Sequence, residues 1–139
     1  MSKRYKVLVT TALGALALVT PAITTVAPAT AGVTGTDSVA RTLDDNPGGF
    51  ARFYADDEIL EVCDLQADGL RAYGSVVYSD STGSYFIRIE DTNGSHPIGD
   101  CARKDLTIDE GVKITLSVCL KDGANGTLRY CYSTTNGRS

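Results

Sequence analysis

Val112-Lys113-Ile114-Thr115-Leu116-Ser117-Val118-Cys119-Leu120 is the stretch on which the fold assignment turns. Apolar residues take every second position, with Lys113, Thr115, Ser117 and Cys119 between them. That is the period of a strand with one buried face and one wet face. Asp122-Gly123-Ala124-Asn125-Gly126 follows. Glycine and asparagine tolerate positive φ, so these residues read as a hairpin turn. The returning strand places Leu128, Tyr130 and Tyr132 on one face and Thr127, Arg129 and Cys131 on the other. Cys119 and Cys131 then share the face opposite the apolar one, and a register joining them across the hairpin satisfies both strands.

Working outward, Cys63 and Cys101 complete a set of four cysteines. A zinc site wants paired ligands two to four residues apart, and these gaps are far wider. Two disulfides are therefore expected, in a chain too small to bury a large core. Four cysteines allow three connectivities. The hairpin register selects Cys119–Cys131 and leaves Cys63–Cys101. Loop entropy gives roughly 3 kcal/mol for the shorter bridge and about 4 for the longer.

Further strands are expected at 58–64, 70–79 and 84–90, with a weaker one at 103–108. Asp68-Gly69 joins the first two and Asp80-Ser81-Thr82-Gly83 the next two. Asp91 to Pro97 forms a longer loop. Short strands between Gly, Asn and Asp turns, with no helical period, predict a small all-β antiparallel sandwich of six or seven strands. Residues 32–49 are poor in apolar side chains and read as a flexible N-terminal arm, so the stapled domain is expected over 50–139.

The chain of 139 residues opens with Lys3, Arg4 and Lys6, a short apolar run broken by Pro21, and Ala29-Thr30-Ala31 before Gly32. A basic start, a short apolar middle and a small-x-small end make a secretory signal peptide over 1–31, cleaved between Ala31 and Gly32. Its loss changes the net charge from −4 to −7, because seventeen carboxylates then face ten cations. A surface of that sign repels phosphate backbones and anionic lipid, so neither nucleic acid nor a membrane is expected as a partner of the mature form. Secretion to the extracellular space is expected.

Val62-Cys63-Asp64, Asp68-Gly69, Val118-Cys119-Leu120 and Tyr130-Cys131 together resemble small secreted four-cysteine, β-rich proteins of actinobacteria. The resemblance covers about residues 50–133. It implies a bacterial exported β domain and transfers no functional residue. Secreted inhibitors of subtilisin-type proteases and of amylases are also small and doubly bridged. Neither group's reactive sequence is present here, and the chain has no tryptophan.

The chemistry-bearing residues are sparse. His96 is the one histidine. A catalytic base needs a nucleophile and an orienting group nearby, and neighbouring loop residues such as Ser95 and His96 rarely face each other. His96 with Glu90 and Arg88 nominally assembles a ribonuclease trio, in a chain too acidic for that chemistry. Asp56-Asp57-Glu58 lacks the alternating ligands and glycine of a Ca²⁺ loop. Asn93-Gly94-Ser95 and Asn125-Gly126-Thr127 match the glycosylation triplet and read as turns. No catalytic residue, metal or cofactor is expected.

Two surfaces are left for binding. One is the loop ahead of Cys101, with His96, Pro97 and Ile98 as candidate contacts, fixed by a bridge as an inhibitor's reactive loop would be. The other is whichever of Tyr73, Tyr78, Tyr85, Phe86, Tyr130 and Tyr132 escape the core. The sequence therefore reads as a non-enzymatic binding module for an extracellular protein or carbohydrate. An inhibitor of an extracellular hydrolase is the second reading and a small enzyme the third.

Overall fold

Alternation of apolar and polar residues is plainest over 113–118, where buried positions follow one another at every second residue. The computed structural model describes residues 34–95 and 100–139. The expected signal peptide with its Ala31/Gly32 cleavage site, and the loop residues His96, Pro97 and Ile98, lie outside these. Eight strands occur among the described residues: β1 (Ser38–Arg41), β2 (Gly49–Tyr54), β3 (Ile59–Asp64), β4 (Leu70–Ser79), β5 (Ser84–Glu90), β6 (Ala102–Asp105), β7 (Lys113–Asp122) and β8 (Leu128–Arg138). They form two antiparallel four-stranded sheets, ordered β1-β2-β3-β6 and β5-β4-β7-β8. The fold is the all-β sandwich expected, with two strands more at its N-terminal end.

The core lies between the sheets. Phe53, Leu60 and Val62 of the first sheet meet Val76, Ile114, Leu116 and Val118 of the second, all fully buried. Gly74 makes this approach close: a Cβ there would stand 2.1 Å from Val62 Cγ2. On the far edge Tyr85 stacks on Tyr78 with ring centroids 4.9 Å apart. No helix of the described residues is long and apolar enough to cross a membrane.

Both bridges are those the spacing selects, Cys63–Cys101 and Cys119–Cys131. Each ties an edge strand to its neighbour. Val62 pairs with Ala102, so the first bridge closes the start of β6 onto β3. The second closes β8 onto β7.

The region expected as an arm is instead structured wherever it is described. Ser38–Arg41 pairs in register with Phe50–Phe53 as β1. Its inward side chains, Ser38 and Ala40, are buried but small, so no apolar stripe marks the strand. The connection to β2 is also held: Thr42 Oγ1 accepts from Gly49 N at 3.1 Å, Asp44 Oδ2 from Gly48 N at 2.8 Å, and Gly48 O from Leu65 N at 2.7 Å.

The faces of β8 also depart from simple alternation. The β7–β8 ladder shifts register twice, between Ile114 and Leu116 and between Val118 and Leu120. Tyr130, at the second shift, takes φ +52°. Leu128 therefore stands opposite Lys121 on the outer face, and Tyr132 stands opposite Val118 on the inner one. The expected common face for Leu128, Tyr130 and Tyr132 is broken by the bulge. All three are exposed.

Candidate functional site

β1 and β8 are edge strands of different sheets that run side by side in opposite directions. They touch through backbone bonds at two places. At one end Thr36 N donates to Arg138 O at 2.7 Å and Arg138 N to Thr36 O at 3.0 Å. At the other Leu43 N donates to Tyr130 O at 2.9 Å. Between these pins the two strands form no ladder. The gap is a trough, and a cavity of about 410 Å³ lies along it, lined by Val39, Arg41, Thr42, Leu43 and Tyr132.

Leu43 is also shared with a second cavity of about 450 Å³. Asp44, Asp45, Asn46, Gln66 and Asp68 line its polar side, and Leu70, Leu120 and Tyr130 its apolar side. Asp44 and Asp68 accept backbone bonds, from Gly48 N at 2.8 Å and Leu70 N at 2.9 Å. Among the described residues no cation pairs with any of the three aspartates. The one basic residue of the trough, Arg41, sets its guanidinium over the Phe50 ring at 5.6 Å.

Seven large apolar or aromatic side chains are exposed among the described residues: Val39, Leu43, Val77, Phe86, Leu128, Tyr130 and Tyr132. Five of them sit on β1, on β8 or on the connection after β1. Leu43 is 64% exposed and Tyr130 50%. Tyr130 holds both its exposure and a backbone conformation that costs a non-glycine residue about 1–3 kcal/mol. Strain of this kind gathers at binding and catalytic positions.

The other groups singled out in the sequence turn out to be structural or separate. Tyr73 and Tyr78 are buried, while Phe86 is exposed on the outer face of the second sheet beside Val77. Burial raises the Tyr78 hydroxyl above its ordinary value, with smaller contributions from Asp80, Tyr85 and Glu58. Glu90 is paired to Lys121 at 2.6 Å and to Arg71 at 3.8 Å. Arg88 is exposed on the same outer face.

In the acidic cluster, Glu58 accepts from Ile108 N at 2.8 Å through its carboxylate and from Leu106 N at 2.9 Å through its carbonyl. Asp56 and Asp57 are exposed turn residues. Gly94 takes φ +84° in the loop ahead of the undescribed residues, as its asparagine-glycine turn requires.

One cluster has metal-like spacing, Glu61 with Cys63 and Cys101. Both sulfurs are spent in the disulfide. Glu61 is 2% exposed and already satisfied: Arg103 Nε donates to it at 2.7 Å and the Tyr54 hydroxyl at 3.0 Å. Arg52 in turn donates to Tyr54 at 3.2 Å, a bond that holds the Arg52 guanidinium above its ordinary value. This is a structural network on the outer face of the first sheet.

Comparison with known protein families, curated proteins and solved structures gives no match for this chain.

Proposed function

We propose that this protein is an exported, non-enzymatic binding module that receives its partner in the trough between β1 and β8. The observation that carries the reading is the concentration of exposed Val39, Leu43, Tyr130 and Tyr132 along one pinned seam. Exposed apolar side chains gathered in one place mark interaction sites, whereas scattered ones do not. The connection Thr42–Gly48 is held at both ends and in the middle, so it loses little conformational freedom when a partner arrives. Two disulfides support a life outside the cell, where thiols are kept oxidised.

The test is a titration of isotope-labelled, oxidised protein with soluble cell-wall oligosaccharides and with peptides, followed by amide NMR. Shifts confined to residues 39–46 and 130–134 support the reading. Shifts confined to the Val77–Phe86 face, or none with any ligand class, overturn it. Sequencing of the exported protein is expected to begin at Gly32.

A further inference from the structure

We propose that the partner seated in this trough is an extended, basic peptide segment, added as a strand along the free edge of β1. The inference rests on the trough being the binding site and names the chemistry of its occupant.

Backbone alternation supplies the first half of the case. Thr42 N donates to Gly49 O at 3.0 Å, which fixes the phase of the β1–β2 ladder. In an antiparallel pair, residues two apart repeat the same hydrogen-bonding sense. Ser38, Ala40 and Thr42 therefore turn their backbone groups toward β2, and Val39, Arg41 and Leu43 turn theirs away. The outward bond from Leu43 N to Tyr130 O agrees with this phase. Val39 and Arg41 face the unladdered gap, where the 410 Å³ cavity stands. An unpaired edge with room beside it is a template for a further strand. Between the Thr36 and Leu43 pins the outward groups of Val39 and Arg41 form about 7 Å of open edge, and a segment that reaches on to Asp44 displaces the Leu43–Tyr130 bond.

Charge supplies the second half. The trough runs into the cavity of Asp44, Asp45 and Asp68, which no cation of the described residues neutralises. Arg41, set over Phe50, is the one cation beside the edge and stays charged there, so an occupant's own cations belong at the aspartate end. A second copy of this chain fits poorly. Antiparallel pairing of two β1 edges about Ala40 would set Asp44 of one copy opposite Thr36 of the other, beside that copy's Asp37. Lysine or arginine at alternate positions of a strand answers both features, with backbone on the edge and cations toward the aspartates.

The experiment is selection from a displayed library of eight-residue peptides with the oxidised full chain as bait. The enriched peptides are then synthesised. Sequences with basic residues at alternate positions are expected, and they should slow amide exchange at Val39 and Arg41. Changing Asp44, Asp45 and Asp68 together to asparagine is expected to weaken them by about tenfold, more at low salt than at high salt. Asparagine keeps the acceptors for Gly48 and Leu70. Asp45→Asn alone, at an exposed position, serves if the triple change unfolds the protein, and should weaken binding about twofold to threefold.

Enrichment of acidic or neutral peptides, binding indifferent to these changes, or exchange protection that spares Val39 and Arg41 would overturn the proposal. If chitohexaose shifts residues 39–46 while no peptide does, the trough stands as a site and the strand-addition inference falls. If neither ligand touches the trough, both fall.

Discussion

Gly74 and Tyr130 are two residues at which side-chain identity and backbone shape conflict most directly. At Gly74 the second sheet comes so near Val62 that no Cβ fits. Gly74→Ala is expected to destabilise the protein by about 1–3 kcal/mol, the usual cost of overpacking. In a denaturation series the loss should shrink when Val62→Ala is added, since the two share one space. Tyr130 is the opposite case, a large residue at φ +52°. Asparagine adopts that region readily. Tyr130→Asn is expected to leave the free energy of unfolding within about 1 kcal/mol of the wild type, or above it, as strain relief offsets lost contacts. Peptide binding in the trough should fall at the same time. A matching loss of stability would show that Tyr130 serves packing. Neither conflict is visible in the sequence: Gly74 reads as one more strand residue, and Tyr130 as one beat of an unbroken alternation.

Among the elements, legibility followed the size of the inward side chains. β4, β5 and β7 carry Val, Ile, Leu and Tyr inward, and the expected ranges agree with those observed to within a residue or two. β1 offers Ser38 and Ala40, and β2 puts aromatic residues on both faces, Phe53 inward with Phe50 and Tyr54 outward. Neither pattern has a period that one chain alone reveals. Turn chemistry was more legible. In the β4–β5 turn the Thr82 hydroxyl donates to Asp80 Oδ1 at 2.6 Å, and the Thr82 and Gly83 amides at 2.8 and 3.1 Å. The hydroxyl bond leads, and together they hold the Asp80 carboxyl below its ordinary value. A lowered value in the folded state means stability that is present above the ordinary aspartate value of about 3.9 and lost as pH falls through the folded one. Thermal melts between pH 6 and pH 2 should therefore fall less steeply for Asp80→Asn than for the wild type. Parallel curves would mean that the turn contributes nothing through ionisation.

For the molecule as a whole, the disulfides divide the work between the two sheets. Replacing Cys63 and Cys101 by serine, a loop of 38 residues, is expected to cost about 4 kcal/mol. Replacing Cys119 and Cys131, a loop of 12, should cost roughly 3 kcal/mol. Only the second frees the strand that carries Tyr130 and Tyr132. Ligand binding measured at a temperature where both variants stay folded should be lost in the second and kept in the first. Both pairings could be read from the spacing and the hairpin phase. The trough could not, since it joins residues near position 40 to residues near 132 through a seam with no ladder and no motif.

That seam also sets an order in time. The hairpins β2–β3, β4–β5 and β7–β8 join neighbours in the chain and close within microseconds. The pin between Thr36 and Arg138 joins residues about a hundred positions apart, and closing so long a loop carries a larger entropic cost. The seam is thus expected to be the last contact to form as the protein folds and the first to part when it breathes. A ligand that lies across it acts as a latch on that final step, slowing local opening without touching the core.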